Sequence, residues 1–175
     1  MAATDREKIA EQILAFGGNL RRARARAGLT QAQLSVSAPL DRAAISRLEC
    51  GERAPDMPTL VRLCRALEVT PTELLRGVGT GNSVRATGRR ADGAPNNPAA
   101  AFGANLKWAR ARAKISQERL ALDAKVDRAA ISVYENGGRR PNLRTVLKLA
   151  LKLEVRPAAL LRGIALDAES LETRS

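Results

Sequence analysis

The sequence has no histidine, only two cysteines and a 2% share of aromatic residues, and no apolar run approaches the ~20 residues that a bilayer span requires. Each scarcity removes a class of explanation. Without an imidazole, a clustered carboxylate pair, a Gly-rich phosphate loop or a nucleophile beside a base, no enzyme is expected. Cys50 and Cys64 lie in the first half without metal-ligand spacing, so a four-ligand zinc site would be half empty and no metal or cofactor is implied. The thiols read as structural or incidental, with a redox pair as the alternative. Asp5, Glu7 and Glu11 interrupt the apolar positions of the N-terminus, which excludes a signal peptide and points to a cytoplasmic protein with no membrane partner. Few aromatics beside abundant Ala and Leu favour an all-α fold, since sheets select β-branched and aromatic side chains.

What is present in excess is positive charge. Thirty Lys and Arg against eighteen Asp and Glu give a net +12 and an isoelectric point near 11.1. Such a field attracts polyanions, with nucleic acid and anionic membrane surfaces as the usual partners and a merely solvated surface as the bland alternative.

The chain repeats itself. Phe16-Gly17 recurs as Phe102-Gly103, and an offset of 86 residues holds without a gap through Leu75-Arg76-Gly77 and Leu161-Arg162-Gly163. About half of the aligned positions are identical, which marks two copies of one domain. The expected division is an N-terminal helical extension over 1–15, domains over 16–77 and 102–163, a flexible linker over 78–101, and an acidic tail over 164–175. The extension carries a Thr4-x-x-Glu7 capping box and apolar Ile9, Ile13 and Leu14. It packs on its own domain or serves as a homodimer contact. A linker of this length spans roughly 27 Å if flexible. Its Arg85, Arg89 and Arg90 either solubilise it or follow DNA.

Each copy divides into about five short helices. The first buries Phe16, Leu20, Ala23 and Ala27, or Phe102, Leu106, Ala109 and Ala113, and turns Arg21, Arg22, Arg24 and Arg26, or Lys107, Arg110, Arg112 and Lys114, outward. The second opens at Thr30 or Ser116, the third at Asp41 or Asp127, the fourth after Pro55 or Pro141, and the last at Pro71 or Pro157. On a helical wheel the third helix places Arg42, Ala43, Ser46 and Arg47 on one arc and Ala44, Ile45 and Leu48 on the other. Its outer arc is shallow, with an arginine at the N-terminal end, which suits entry into a major groove and a forked contact to guanine. The second copy repeats this arc as Arg128, Ala129, Ser132 and Val133. Packing alone would conserve the inner arc and leave the outer one free.

The pattern Thr30-Gln31-x-x-Leu34, then Ile45-Ser46-x-Leu48-Glu49-x-Gly51, resembles the phage-repressor/Cro-like helix-turn-helix family of the xenobiotic-response-element type. Ser116-Gln117-x-x-Leu120-Ala121, then Ile131-Ser132-x-Tyr134-Glu135-Asn136-Gly137, is closer still. The resemblance covers both repeats and implies two tandem five-helix domains whose third helices read DNA. Carried over by position, it makes Arg42, Ala43, Ser46, Arg47, Arg128, Ala129, Ser132 and Val133 the base-reading candidates. Gln31, Arg53, Gln117 and Arg139 become the phosphate-contact candidates. The implied function is a transcriptional regulator, more specifically a repressor, on paired similar half-sites of double-stranded DNA. A protein-docking regulator that contacts RNA polymerase, a sigma factor or another regulator is the rival reading.

Two departures stand out. Pro39 and Lys125 occupy the turn where the family usually has glycine, and proline's ring opposes the positive φ available there. Ser35 replaces the small alanine expected where the helices touch. Domain 1 carries ten basic and six acidic residues, domain 2 fourteen and five, for net charges of +4 and +9. The second copy is therefore expected to hold DNA more tightly.

Overall fold

The computed structural model describes residues 4–79 and 97–164. Ten helices fill these residues, five per copy, and no strand occurs among them. The first copy holds α1 (Asp5–Arg26), α2 (Gln31–Ser37), α3 (Arg42–Glu49), α4 (Met57–Ala66) and α5 (Pro71–Leu74). The second holds α6 (Pro98–Arg112), α7 (Gln117–Ala124), α8 (Arg128–Glu135), α9 (Leu143–Lys152) and α10 (Pro157–Leu160).

Helix starts follow the local chemistry. Thr4, Thr30 and Thr70 each close a full capping box with the Glu or Gln three residues on. Ser116, Asp56 and Asn142 cap with a side-chain oxygen alone. The extension and the first repeat helix are one continuous rod of 22 residues. The expected core is buried in both copies: Phe16, Leu20, Ile45, Leu48, Leu60 and Leu63, and likewise Phe102, Leu106, Ile131, Val146 and Leu149. Ala27 and Ala113, expected on the inner face, are instead exposed, because each is the C-cap at which its helix has already ended.

Two contacts repeat in each copy and fix the first helix. Gly17 lies where α1 crosses the end of α3, and a Cβ there would sit 2.5 Å from the Leu48 carbonyl oxygen. At Gly103 it would sit 2.3 Å from the Tyr134 oxygen. Only glycine permits this backbone approach. Two residues further on, the Asn19 amide donates to the Leu74 and Arg76 carbonyls at 2.8 and 2.9 Å, and Asn105 does the same to Leu160 and Arg162 at 3.1 and 2.8 Å. Each asparagine ties the last short helix back to the first.

The copies are docked on each other. Asp56 and Asn142, the same position in the two repeats, pair as an antiparallel bridge, and the Leu143 N–H donates to the Pro55 carbonyl at 2.9 Å. Equivalent residues that pair antiparallel are related by a local two-fold axis, and α5 and α10, also equivalent, touch as well. The N-terminal part of α1 breaks this symmetry by lying against α9. Asp5 pairs with Lys152 at 2.5 Å, and Gly79 fits beside Gln12 and Pro157 so closely that a Cβ would approach the Pro157 ring to 2.9 Å. Ile9 and Ile13 are buried in the core shared by the two copies. Of the apolar residues that a homodimer through residues 4–15 would use, Ile9 and Ile13 are thus covered by the chain itself, while Leu14 is 58% exposed.

The segment between the copies is also shorter than its composition suggests. Val78 is buried, and α6 begins at Pro98, because Asn97 caps it and proline suits a first helical position. Arg85, Arg89 and Arg90, and the acidic tail beyond Ile164, lie outside the described residues.

The glycine crossing gives a direct test. Gly17→Ala improves intrinsic helix propensity by about 1 kcal/mol, yet forces α1 off α3, an overpacking cost of about 3 kcal/mol. The expected net loss of about 2 kcal/mol should appear in urea unfolding as a lower midpoint with an unchanged slope.

Candidate nucleic-acid interface

The base-reading candidates sit together on the outer faces of α3 and α8. Arg42, Ala43 and Arg47 are exposed and Ser46 is half-buried; Arg128, Ala129 and Val133 are exposed and Ser132 is half-buried. Arg42 and Arg128 make no hydrogen bond or ion pair with any described residue. Arg47 makes only a long bond, 3.4 Å, from its Nε to the Ala43 carbonyl. Below them Ile45 and Leu48, or Ile131 and Tyr134, are buried, so each helix is anchored by its inner arc and offers a shallow outer one. Tyr134 adds an edge-to-face contact with Phe102, ring centroids 6.1 Å apart. Arg53 and Arg139 are exposed in the loops that follow the two reading helices.

A buried polar cluster behind each reading helix was not legible from the wheel. Arg24 and Arg110, placed there among the outward arginines, turn in. Arg24 donates from Nε and a terminal nitrogen to the Glu49 carboxylate at 2.6 and 3.0 Å, and to the Leu29 carbonyl at 2.8 Å. Gln31 donates to the same carboxylate at 2.9 Å. Arg110, Ile115, Gln117 and Glu135 repeat the arrangement at 2.6, 3.0, 3.0 and 2.7 Å. Glu49 and Glu135 retain only 8% and 9% of their exposure. One carboxylate thus locks the ends of three helices: the first, the second and the reading helix. The signal that could have revealed it is the identity of all three residues in both copies.

This cluster also places Gln31 and Gln117. Each spends one amide hydrogen on its glutamate while the side chain stays half-exposed at the start of α2 or α7. Burial pushes the Glu49 and Glu135 carboxyls up, but hydrogen bonds from the arginine and the glutamine outweigh it and hold both below the ordinary value of 4.5. The same bonds raise Arg24 and Arg110.

The turns between the paired helices differ by one hydrogen bond. In the second copy Lys125 adopts φ 50, the Val126 N–H returns to the Ala121 carbonyl at 3.0 Å and Lys125 N–H to Leu122 at 3.2 Å. In the first, the Leu40 N–H makes the matching bond to Ser35 at 3.0 Å, but proline has no N–H to give the other. Pro39 therefore leaves the first turn closed by that single bond. Ser35 settles its hydroxyl on the Ala32 carbonyl at 2.7 Å, inside its own helix. Asp127 caps α8 by accepting from the Ala129 N–H at 2.7 Å, whereas Asp41 makes no cap bond although its backbone angles are nearly the same.

Fold and site together define a DNA-binding helix-turn-helix protein. Residues 15–76 match the family described as "Helix-turn-helix domain" and residues 106–160 the family described as "Helix-turn-helix". The chain belongs to the phage-repressor/Cro-like helix-turn-helix regulators and carries two such domains in tandem. Among solved structures it is similar to the restriction-modification controller protein C.AhdI from Aeromonas hydrophila. That likeness has 34% identity and a TM-score of 0.35, over 35% of this chain and 94% of that one. A comparison with curated proteins gave no match. None of the described helices is long and apolar enough to cross a membrane.

Two outcomes test this site. The carboxylates of Glu49 and Glu135 bind protons less tightly folded than unfolded, so their stabilisation is complete well above 4.5 and drains away as pH falls through their lowered values. Glu135→Gln should remove about 3 kcal/mol near neutral pH, since Arg110 loses its counter-charge, and should flatten that acid decline; Trp108, the one tryptophan, lies in the second copy and reports it. Pro39→Gly restores an N–H donor and freely admits the positive φ that Lys125 adopts at the same place in the second copy. After the extra unfolded-state entropy of glycine it should gain about 1 kcal/mol, measured as a raised melting temperature, while the same change at Lys125 brings no such gain.

Proposed function

We propose that the chain is a transcriptional repressor whose two reading helices address paired, inverted half-sites of double-stranded DNA. The observation that carries this reading is the state of Arg42 and Arg128: exposed, unpaired, and flanked on the outer arc by the small Ala43 and Ser46 or Ala129 and Ser132. Each can fork onto the O6 and N7 of a guanine, while Ala43 and Ser46, or Ala129 and Ser132, let the helix backbone approach the base edges. Gln31 and Gln117 retain an amide hydrogen for phosphate at a helix N-terminus, and Arg53 and Arg139 extend the backbone grip beyond the reading helix. The antiparallel pairing of Asp56 with Asn142 supports inverted half-sites, because a two-fold relation between readers requires a two-fold relation between their targets. Occupancy of such a site within a promoter blocks polymerase.

One observation favours a second reading. Val36 and Leu122, equivalent residues on α2 and α7, are 81% and 71% exposed, which suits docking on polymerase, a sigma factor or another regulator. Salt separates the two. A complex with 6–10 phosphate contacts loses ~10³–10⁵ in affinity between 50 and 200 mM salt. Arg42→Ala and Arg128→Ala should each weaken binding to a selected operator by about 1–3 kcal/mol with the salt slope unchanged, as read by fluorescence anisotropy. Salt-insensitive capture of one stoichiometric protein, with no DNA sequence enriched from a promoter library, would favour the docking reading.

A further inference from the structure

We infer that the two arms of the operator are unequal at one base step, and that the chain consequently lies on its DNA in a single orientation, with Arg47 and Val133 as the residues that set the difference. This rests on the DNA reading proposed above.

The outer arcs of α3 and α8 share Arg42 with Arg128, Ala43 with Ala129 and Ser46 with Ser132, and differ only at the fourth position. There the first copy presents a guanidinium with no ion pair and the second an isopropyl group that is 41% exposed. Gly138, in the loop that follows, lies so close that a Cβ there would crowd the valine Cγ1 at 3.3 Å; having none, it leaves the outer side of the isopropyl group open. The equivalent of Gly138 in the first copy is Glu52. In the major groove the one apolar feature a valine can meet is the thymine C5-methyl. Any other pair would leave a polar base edge facing hydrocarbon, desolvated and without a partner. An arginine at the same place meets the paired acceptors of guanine. The arm under copy 2 therefore carries thymine where the arm under copy 1 carries guanine.

A homodimer with two identical readers has no means to tell its arms apart. Here duplication supplies the two-fold frame and one divergent residue supplies a polarity. The backbone grip is unequal in the same sense, since Lys125 faces Pro39 across the repeat and the net charges of the copies are +9 and +4.

The test is selection of bound duplexes from a random library by the full chain, by Arg47→Val and by Val133→Arg. Both positions are exposed, so the variants should keep the parent's circular dichroism and melting temperature. The parent is expected to enrich an inverted repeat whose arms agree except at one step, thymine in one and guanine in the other. Arg47→Val should convert the guanine arm, Val133→Arg the thymine arm, and each variant should prefer its new operator by roughly 5- to 150-fold. Orientation is read with a DNA-cleaving chelate on the native Cys50, which is exposed beside α3, while burial of Cys64 pushes its thiol up to about 12 and keeps it inert. Cleavage is expected at the guanine arm alone. Enriched operators with identical arms, or cleavage at both ends, would overturn the inference and leave DNA reading intact. Absence of any enriched sequence would overturn both.

Discussion

The arrangement of each domain depends on one carboxylate. Glu49 and Glu135 are the last residues of their reading helices, almost wholly removed from water, and each is neutralised by an arginine from the first helix and held by a glutamine from the second. A buried ion is costly unless its partners are well placed. Here the geometry is bidentate, with a further donor for the second oxygen, and a third arginine N–H goes to a backbone carbonyl. The reward is directional. Apolar packing fixes how deep a helix lies but tolerates small rotations, whereas a forked charge pair fixes its roll, and roll decides which side chains face outward. The shallow arc of Arg42, Ala43 and Ser46 is aimed by a residue at the C-terminal end of the same helix.

The same two helix faces explain why some features were readable from sequence and others were not. Periodic apolar residues and capping residues repeat at local spacing, so helix starts such as Thr30 and Pro71 and core residues such as Leu60 and Val146 follow from the chain alone. Duplication made the outer arc legible as well, because residues that need not pack had nonetheless been kept. Arg24 was misplaced because a wheel assigns a face to each position but cannot know that a long side chain will bend back to a carboxylate 25 residues away. The docking of the copies was hidden for a related reason: Asp56 and Asn142 announce helix caps, and nothing local distinguishes a cap that also pairs with its own repeat.

The departures from symmetry collect at the ends of the molecule and on one reading position. The first copy has an extra half-rod of helix and lays it on the second, with Asp5 on Lys152 and Gly79 admitted close to Pro157. The second copy has the larger positive charge. The copies thus share one frame, Gly17 with Gly103, Asn19 with Asn105 and Glu49 with Glu135, and differ in what is laid upon it.

The intramolecular two-fold has a consequence for dosage. A reader assembled from two subunits forms with the square of protein concentration and can be poisoned by a defective subunit that pairs with a sound one. On the reading proposed above, a chain that carries both heads on one backbone needs no second subunit, so its occupancy of a site tracks copy number linearly and a damaged copy harms only itself.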